Sequence, residues 1–208
     1  MLGQPSPTAL PKAGYIRFWA MLPAAAGSFE LRKTGATGPE AILARARPYA
    51  YPGYIEVAVG KHQLTVVKTG LAETPFRNLV VDVKPDTFFT VAIMPAAQGA
   101  NVEFTEDTVD PETNNGTLTI RNCYPGITIT VSAGSQRLID SLGEGRSFVA
   151  RDLPAQILQL SIETKLPNGR PASSLAEADF KVNKRATLLI IPDSYGRFRP
   201  RVTIDGSN

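Results

Sequence analysis

Residues Tyr15–Ser28 read YIRFWAMLPAAAGS. As the tail of an export signal, the stretch offers Arg17, a short apolar run and a small-residue ending. As part of the fold, it offers Ile16 and Phe18 at alternate positions, the period of a half-buried strand. The second reading is favoured because Pro23 interrupts the apolar run a signal requires, and because the stretch has a counterpart. Gly14-Tyr-Ile-Arg-Phe-Trp-Ala-Met-Leu-Pro23 aligns without a gap on Gly116-Thr-Leu-Thr-Ile-Arg-Asn-Cys-Tyr-Pro125, with Ile16 and Phe18 falling on Leu118 and Ile120. Farther on, Thr90-Val-Ala-Ile-Met-Pro95 aligns on Thr187-Leu-Leu-Ile-Ile-Pro192. The offsets are 102 residues at the first pair and 97 at the second, a loop-length difference between two copies of one unit.

The remaining patterning within each copy is that of short strands. In the first, Ser28–Lys33 alternates, Tyr54–Val59 and His62–Val67 flank a Gly60-Lys61 turn, and Asn78–Val83, Thr87–Met94 and Asn101–Thr105 follow. In the second, strands are expected over Ile127–Val131, Ser147–Ala150, Ile157–Thr164, Ala178–Val182, Ala186–Ile191 and Arg201–Ile204. Only Pro39–Ala46 suggests a short helix. Many short strands punctuated by 17 Gly and 17 Pro predict an all-β protein of two tandem immunoglobulin-like antiparallel β-sandwich domains. The expected divisions are a Pro-rich leader over 1–13, a first sandwich over 14–107, an acidic, Pro-interrupted linker over 108–114 and a second sandwich over 115–206. Glu106 and Asp107 read as part of a solvated hinge, and any export signal is expected upstream of the leader.

Composition narrows the function classes. The chain is 43% hydrophobic and 20% charged, ordinary for a protein with a packed core, and has no apolar run of membrane-spanning length. A net charge of +3 argues against nucleic acid as a partner. With one histidine, His62, and one cysteine, Cys123, the chain lacks the residues for a disulfide, a His/Cys metal site or a His-activated nucleophile near a recognisable motif. The expectation is a non-enzyme with no catalytic residues, metal or cofactor.

Two segments and one residue stand out as candidate binding groups. In Arg45-Ala-Arg47-Pro-Tyr49-Ala-Tyr51-Pro-Gly-Tyr54, like residues alternate, so an extended backbone sets Arg45 with Arg47 and Tyr49 with Tyr51; guanidinium forks grip carboxylates and flat rings stack on sugar faces. In Arg197-Phe-Arg199-Pro-Arg201, three cations share one side of an extended segment, with Lys184 and Arg185 on an earlier turn. All of the excess charge lies beyond residue 110, where 12 basic residues face 9 acidic ones. Trp19, opposite in face to Ile16 and Phe18, is a candidate contact to a partner or to the other sandwich.

These same segments carry a family resemblance. GYIRFW, the strand-Gly-strand unit YIEVAVGKHQLTVV, the strand VKPDTFFTVAIMP and the closing FKVNKRATLLIIPDSYGRFRPRV are similar to the AlgF family, over most of residues 14–204. The resemblance implies export to the periplasm and a non-catalytic accessory role in exopolysaccharide O-acetylation. The implied partners are acetyltransferase-complex proteins and an anionic, alginate-like polymer. The alternative is an envelope or cell-surface binding or adhesion module.

Overall fold

The computed structural model describes residues 13–22, 26–36, 38–48, 50, 52–70, 75–96, 99–107, 115–181, 184–192 and 196–204. The expected linker and all but the last residue of the leader lie outside this set. The first half holds β1 (Ala13–Ala20), β2 (Phe29–Lys33), β3 (Ile42–Ala46), β4 (Ile55–Ala58), β5 (Gly60–Lys68), β6 (Pro75–Val83), β7 (Phe88–Ala96) and β8 (Gly99–Glu106). The second holds β9 (Gly116–Asn122), β10 (Ile129–Ala133), β11 (Gln136–Leu142), β12 (Arg146–Leu153), β13 (Ile157–Lys165), β14 (Pro171–Asp179), β15 (Arg185–Pro192) and β16 (Phe198–Ile204).

The sheets run β4-β1-β7-β8 and β3-β2-β5-β6 in the first half, and β12-β9-β15-β16 and β11-β10-β13-β14 in the second. Adding eight to each strand number converts one half into the other, so the duplication read from the sequence is a duplication of topology. The two halves are tandem β-sandwiches. Pairing is antiparallel except for β1 with β7 and β9 with β15, which run parallel at the centre of their sheets.

Each sandwich closes on its own apolar core. Ile16, Phe18, Leu31, Leu64, Val66, Val91 and Ile93 fill the first; Leu118, Ile120, Val131, Leu160, Ile162, Leu188 and Ile190 fill the second. The paired glycines at the head of each copy have a packing reason. A Cβ at Gly14 would collide with Val83 at the end of β6, and one at Gly116 with the Phe180 ring just past β14. In both sandwiches the opposite sheet crosses over the head of the central strand.

Three expectations need correction. Pro39–Ala41 forms a single 3-10 turn, but Ile42–Ala46 is a strand paired with β2. β11 was not anticipated, because its sequence, QRLIDSL, carries few β-branched residues and only Leu142 is buried. The strand expected over Ala178–Val182 lies earlier, over Pro171–Asp179: an Ala- and Ser-rich edge strand whose propensity is weak and whose place is set by pairing along all of β13.

Candidate functional site

The central strands β9 and β15 are buried on both faces, and β1 and β7 nearly so, which an isolated sandwich would not require. The second faces meet each other. Trp19, Met21, Ala92 and Met94 from one sandwich and Cys123, Leu189 and Ile191 from the other form a third apolar cluster. Met21 aligns on Cys123, Ala92 on Leu189 and Met94 on Ile191, and the Cys123 Sγ lies 3.3 Å from the Met21 Sδ. Equivalent residues therefore pack on one another, as across an approximate two-fold axis.

Beside this cluster the seam is polar and centred on Asp107. Its carboxylate accepts hydrogen bonds from the Thr90 hydroxyl, from the Tyr54 hydroxyl at 3.0 Å and from the Thr119 hydroxyl at 3.4 Å. Arg17 and Arg121, both fully buried, each bring a guanidinium nitrogen to 3.7 Å from it. Arg17 Nε donates to Thr90 at 3.0 Å; Arg121 Nη1 donates to Ser147 at 2.9 Å and to Thr105 at 3.3 Å. Burial pushes Arg121 below its ordinary pKa, and the Asp107 charge opposes that shift.

A ladder of rings and cations continues across the seam. Tyr15 stacks on Phe88 at 4.6 Å, and Arg185 of the second sandwich lies 3.6 Å above the Phe88 ring. The Tyr54 ring lies 5.4 Å from Arg185 and 4.8 Å from Arg17, which in turn lies 5.0 Å from the Trp19 ring. Cations desolvated against aromatic faces in this way fix the two sandwiches relative to each other.

The seam revises two readings. Trp19 is 2% exposed, so it is a contact to the other sandwich and is out of reach of a partner protein. Asp107, read as part of a solvated hinge, is likewise 2% exposed and anchors both halves. Tyr54 and Arg185 were read as members of the two surface arginine segments, and Arg121 was not singled out from the sequence. The signal available was the near-continuous apolar character of TVAIMP and TLLIIP, which marks strands covered on both faces rather than one.

The remaining candidates lie at the surface. Arg45 is exposed but engaged: Glu30, which is buried, accepts from its Nε at 3.0 Å and from Arg32 Nε at 2.8 Å. Arg47, Arg197, Arg199 and Arg201 are exposed; Tyr49 and Tyr51 lie outside the described residues.

The two-fold character of the seam relates the two arginine segments. On one side, β8 faces β12: Glu103 Oε1 accepts from the Ser147 backbone N–H at 3.1 Å, and Gly145 lies so close to the Pro95 carbonyl that a Cβ there would collide with it. Arg201 is the counterpart of Glu103, since they pair with the equivalent residues Leu189 and Ala92. Pro52 is the counterpart of Ser147, three residues before Ile55 as Ser147 is before Ala150. By the same two-fold relation, β16 is expected on the side of the described residues that lead into β4. Arg185 lying over the Tyr54 ring agrees with this placement.

Other chemistry is sparse among the described residues. The His62 Nε2 lies 2.6 Å from the Ala58 carbonyl, and no three His, Cys, Asp or Glu side chains gather in a way that would hold a metal ion. No helix is long and apolar enough to cross a membrane. A cleft of about 650 Å³ opens where the two sandwiches meet near Pro95 and Pro125, with Phe29 and Phe76 on its walls and Lys68 and Glu144 as its charged groups.

No protein-family model matches the chain, and no curated protein matches it. Among solved structures, a "putative cell adhesion protein" from Bacteroides uniformis ATCC 8492 is 12% identical, over 94% of this chain and 99% of that one. Its TM-score is 0.23, too low a likeness to bear on fold or function.

Proposed function

We propose that this chain is a non-catalytic binding protein that holds an anionic polysaccharide along the rim formed by Arg47, Arg197, Arg199 and Arg201. The observation that carries the reading is the two-fold relation of the seam, under which two arginine segments about 150 residues apart in sequence would fall on one side of it. A rim of this kind suits a polymer of uronate units better than a compact ligand, because its cations are spread along an edge rather than gathered in a pocket. The absence of a recognisable catalytic set in the sequence supports binding over turnover. The resemblance to the AlgF family narrows the role to an accessory part in periplasmic O-acetylation of an alginate-like exopolysaccharide, beside acetyltransferase proteins that supply the chemistry.

Titrating uronate oligomers into the wild type and an Arg47→Ala, Arg199→Ala, Arg201→Ala variant at low and high salt tests this. Exposed charge contacts contribute about 0.2–1 kcal/mol each, so binding is expected to be weak, salt-sensitive and reduced at least several-fold in the variant. Equal binding by both proteins removes the rim from the mechanism.

A further inference from the structure

The two sandwiches differ at one edge. In the second, the edge strand β14 lies along β16, so the corner between its sheets is closed; in the first, the equivalent strands β6 and β8 come far less close. β6 ends its sheet with no strand beyond it among the described residues. Every second N–H and C=O along it therefore points away from β5, the arrangement that accepts another strand. After Pro75 the strand FRNLVVDV has no Lys, Gly or Pro to blunt that edge. Leu79, Val81 and Val83 pack into the core, so Asn78, Val80 and Asp82 face outward, and Val80 is 73% exposed.

We propose that β6 is a homodimer interface, pairing antiparallel with β6 of a second copy about a two-fold axis through Val80. That register sets Val80 against Val80 and places Asn78 opposite Asp82 twice, an amide donor against a carboxylate acceptor. The two pairs are reciprocal, as an isologous interface requires, and no like charges are opposed. This polar complementarity is what commits the edge to a second copy rather than to an unrelated strand. A dimer built this way carries two arginine rims, and a polymer long enough to reach both is held by avidity.

The test is sedimentation of the full chain over a range of concentrations. Wild type is expected to show a monomer–dimer equilibrium. Val80→Lys, which opposes two ammonium groups across the axis, is expected to be monomeric with an unchanged circular dichroism spectrum. Asn78→Asp sets like charges opposite each other twice and is expected to raise the dimer Kd about tenfold; Asn78→Lys is expected to lower it by a similar factor. Opposed Cβ atoms lie roughly 4.5–5.5 Å apart, so Val80→Cys is expected to crosslink under oxidation, while Glu177→Cys on β14 is not. A wild type monomeric at every concentration overturns the proposal. So does a dimer indifferent to Val80→Lys, or one that Val80→Cys fails to crosslink.

Discussion

Asp107 is the residue on which the seam most depends, because two fully buried guanidiniums lean on one carboxylate. Removing one member of a buried ion cluster leaves its partners charged and uncompensated, at a cost of about 3–5 kcal/mol. Asp107→Ala is therefore expected to lower stability by that order in denaturant unfolding; a change within error would mean that water reaches the seam. Cys123 reports on the same place. Burial raises its thiol to about 12, and the thiolate is the reactive form, so alkylation in the folded protein is expected to be negligible and to become fast on denaturation. Rapid labelling without loss of structure would show that the seam opens. Glu30 sets an acid limit. Burial alone raises its pKa, but hydrogen bonds and charge from Arg32 and Arg45 outweigh burial and hold it below its ordinary value. A carboxylate lowered in the folded state adds stability above its unfolded pKa and loses it as pH falls through the folded value. Wild type should thus lose stability below about pH 4.5 more steeply than Glu30→Gln, as denaturation midpoints measured across that range would show.

At the scale of elements, the sequence was most legible where one face of a strand is buried and least where two are. Period-two alternation located the strand ends at Gly14 and Gly116, and the shared Gly and Pro spacing exposed the duplication. It left open what covers the other face of β1, where Trp19 read as a contact either to a partner or to the other sandwich. Alternation distinguishes one face from the other; it does not say whether the polar face meets water or a second sheet carrying Asp107 and Arg121. β11 and β14 escaped for the opposite reason: as edge strands they are placed by their neighbours' hydrogen bonds, and their Ala, Ser and Glu residues carry little β preference. Gly116 tests the element-level reading directly. Gly116→Ala drives a methyl into the Phe180 ring, itself 2% exposed, and is expected to destabilise by about 1–3 kcal/mol. Phe180→Leu in the same chain should recover part of the loss, whereas an independent effect at each site would simply add.

For the whole molecule, the question is whether two sandwiches behave as two domains or as one body. A polar interface between domains ordinarily permits relative motion. Here the interface is a third apolar cluster flanked by a buried ion network and by Arg185 set over the Phe88 ring, so separating the halves would expose Trp19, Met21, Leu189 and Ile191 and leave Arg17 and Arg121 apart from part of their support. The proposed rim would exist only while the halves are held together, since Arg47 belongs to one and Arg201 to the other. One cooperative transition is therefore expected in calorimetry, with the fluorescence of Trp19, the single tryptophan, changing together with the backbone signal. Trp19→Ala removes the largest ring of the cluster, at about 3–5 kcal/mol for a buried aromatic, and is expected to split the transition in two. In that variant, uronate binding should weaken even though every arginine of the rim is intact. Two separate transitions in wild type, with binding unaffected by Trp19→Ala, would mean that each sandwich acts alone and that the rim is not a shared site.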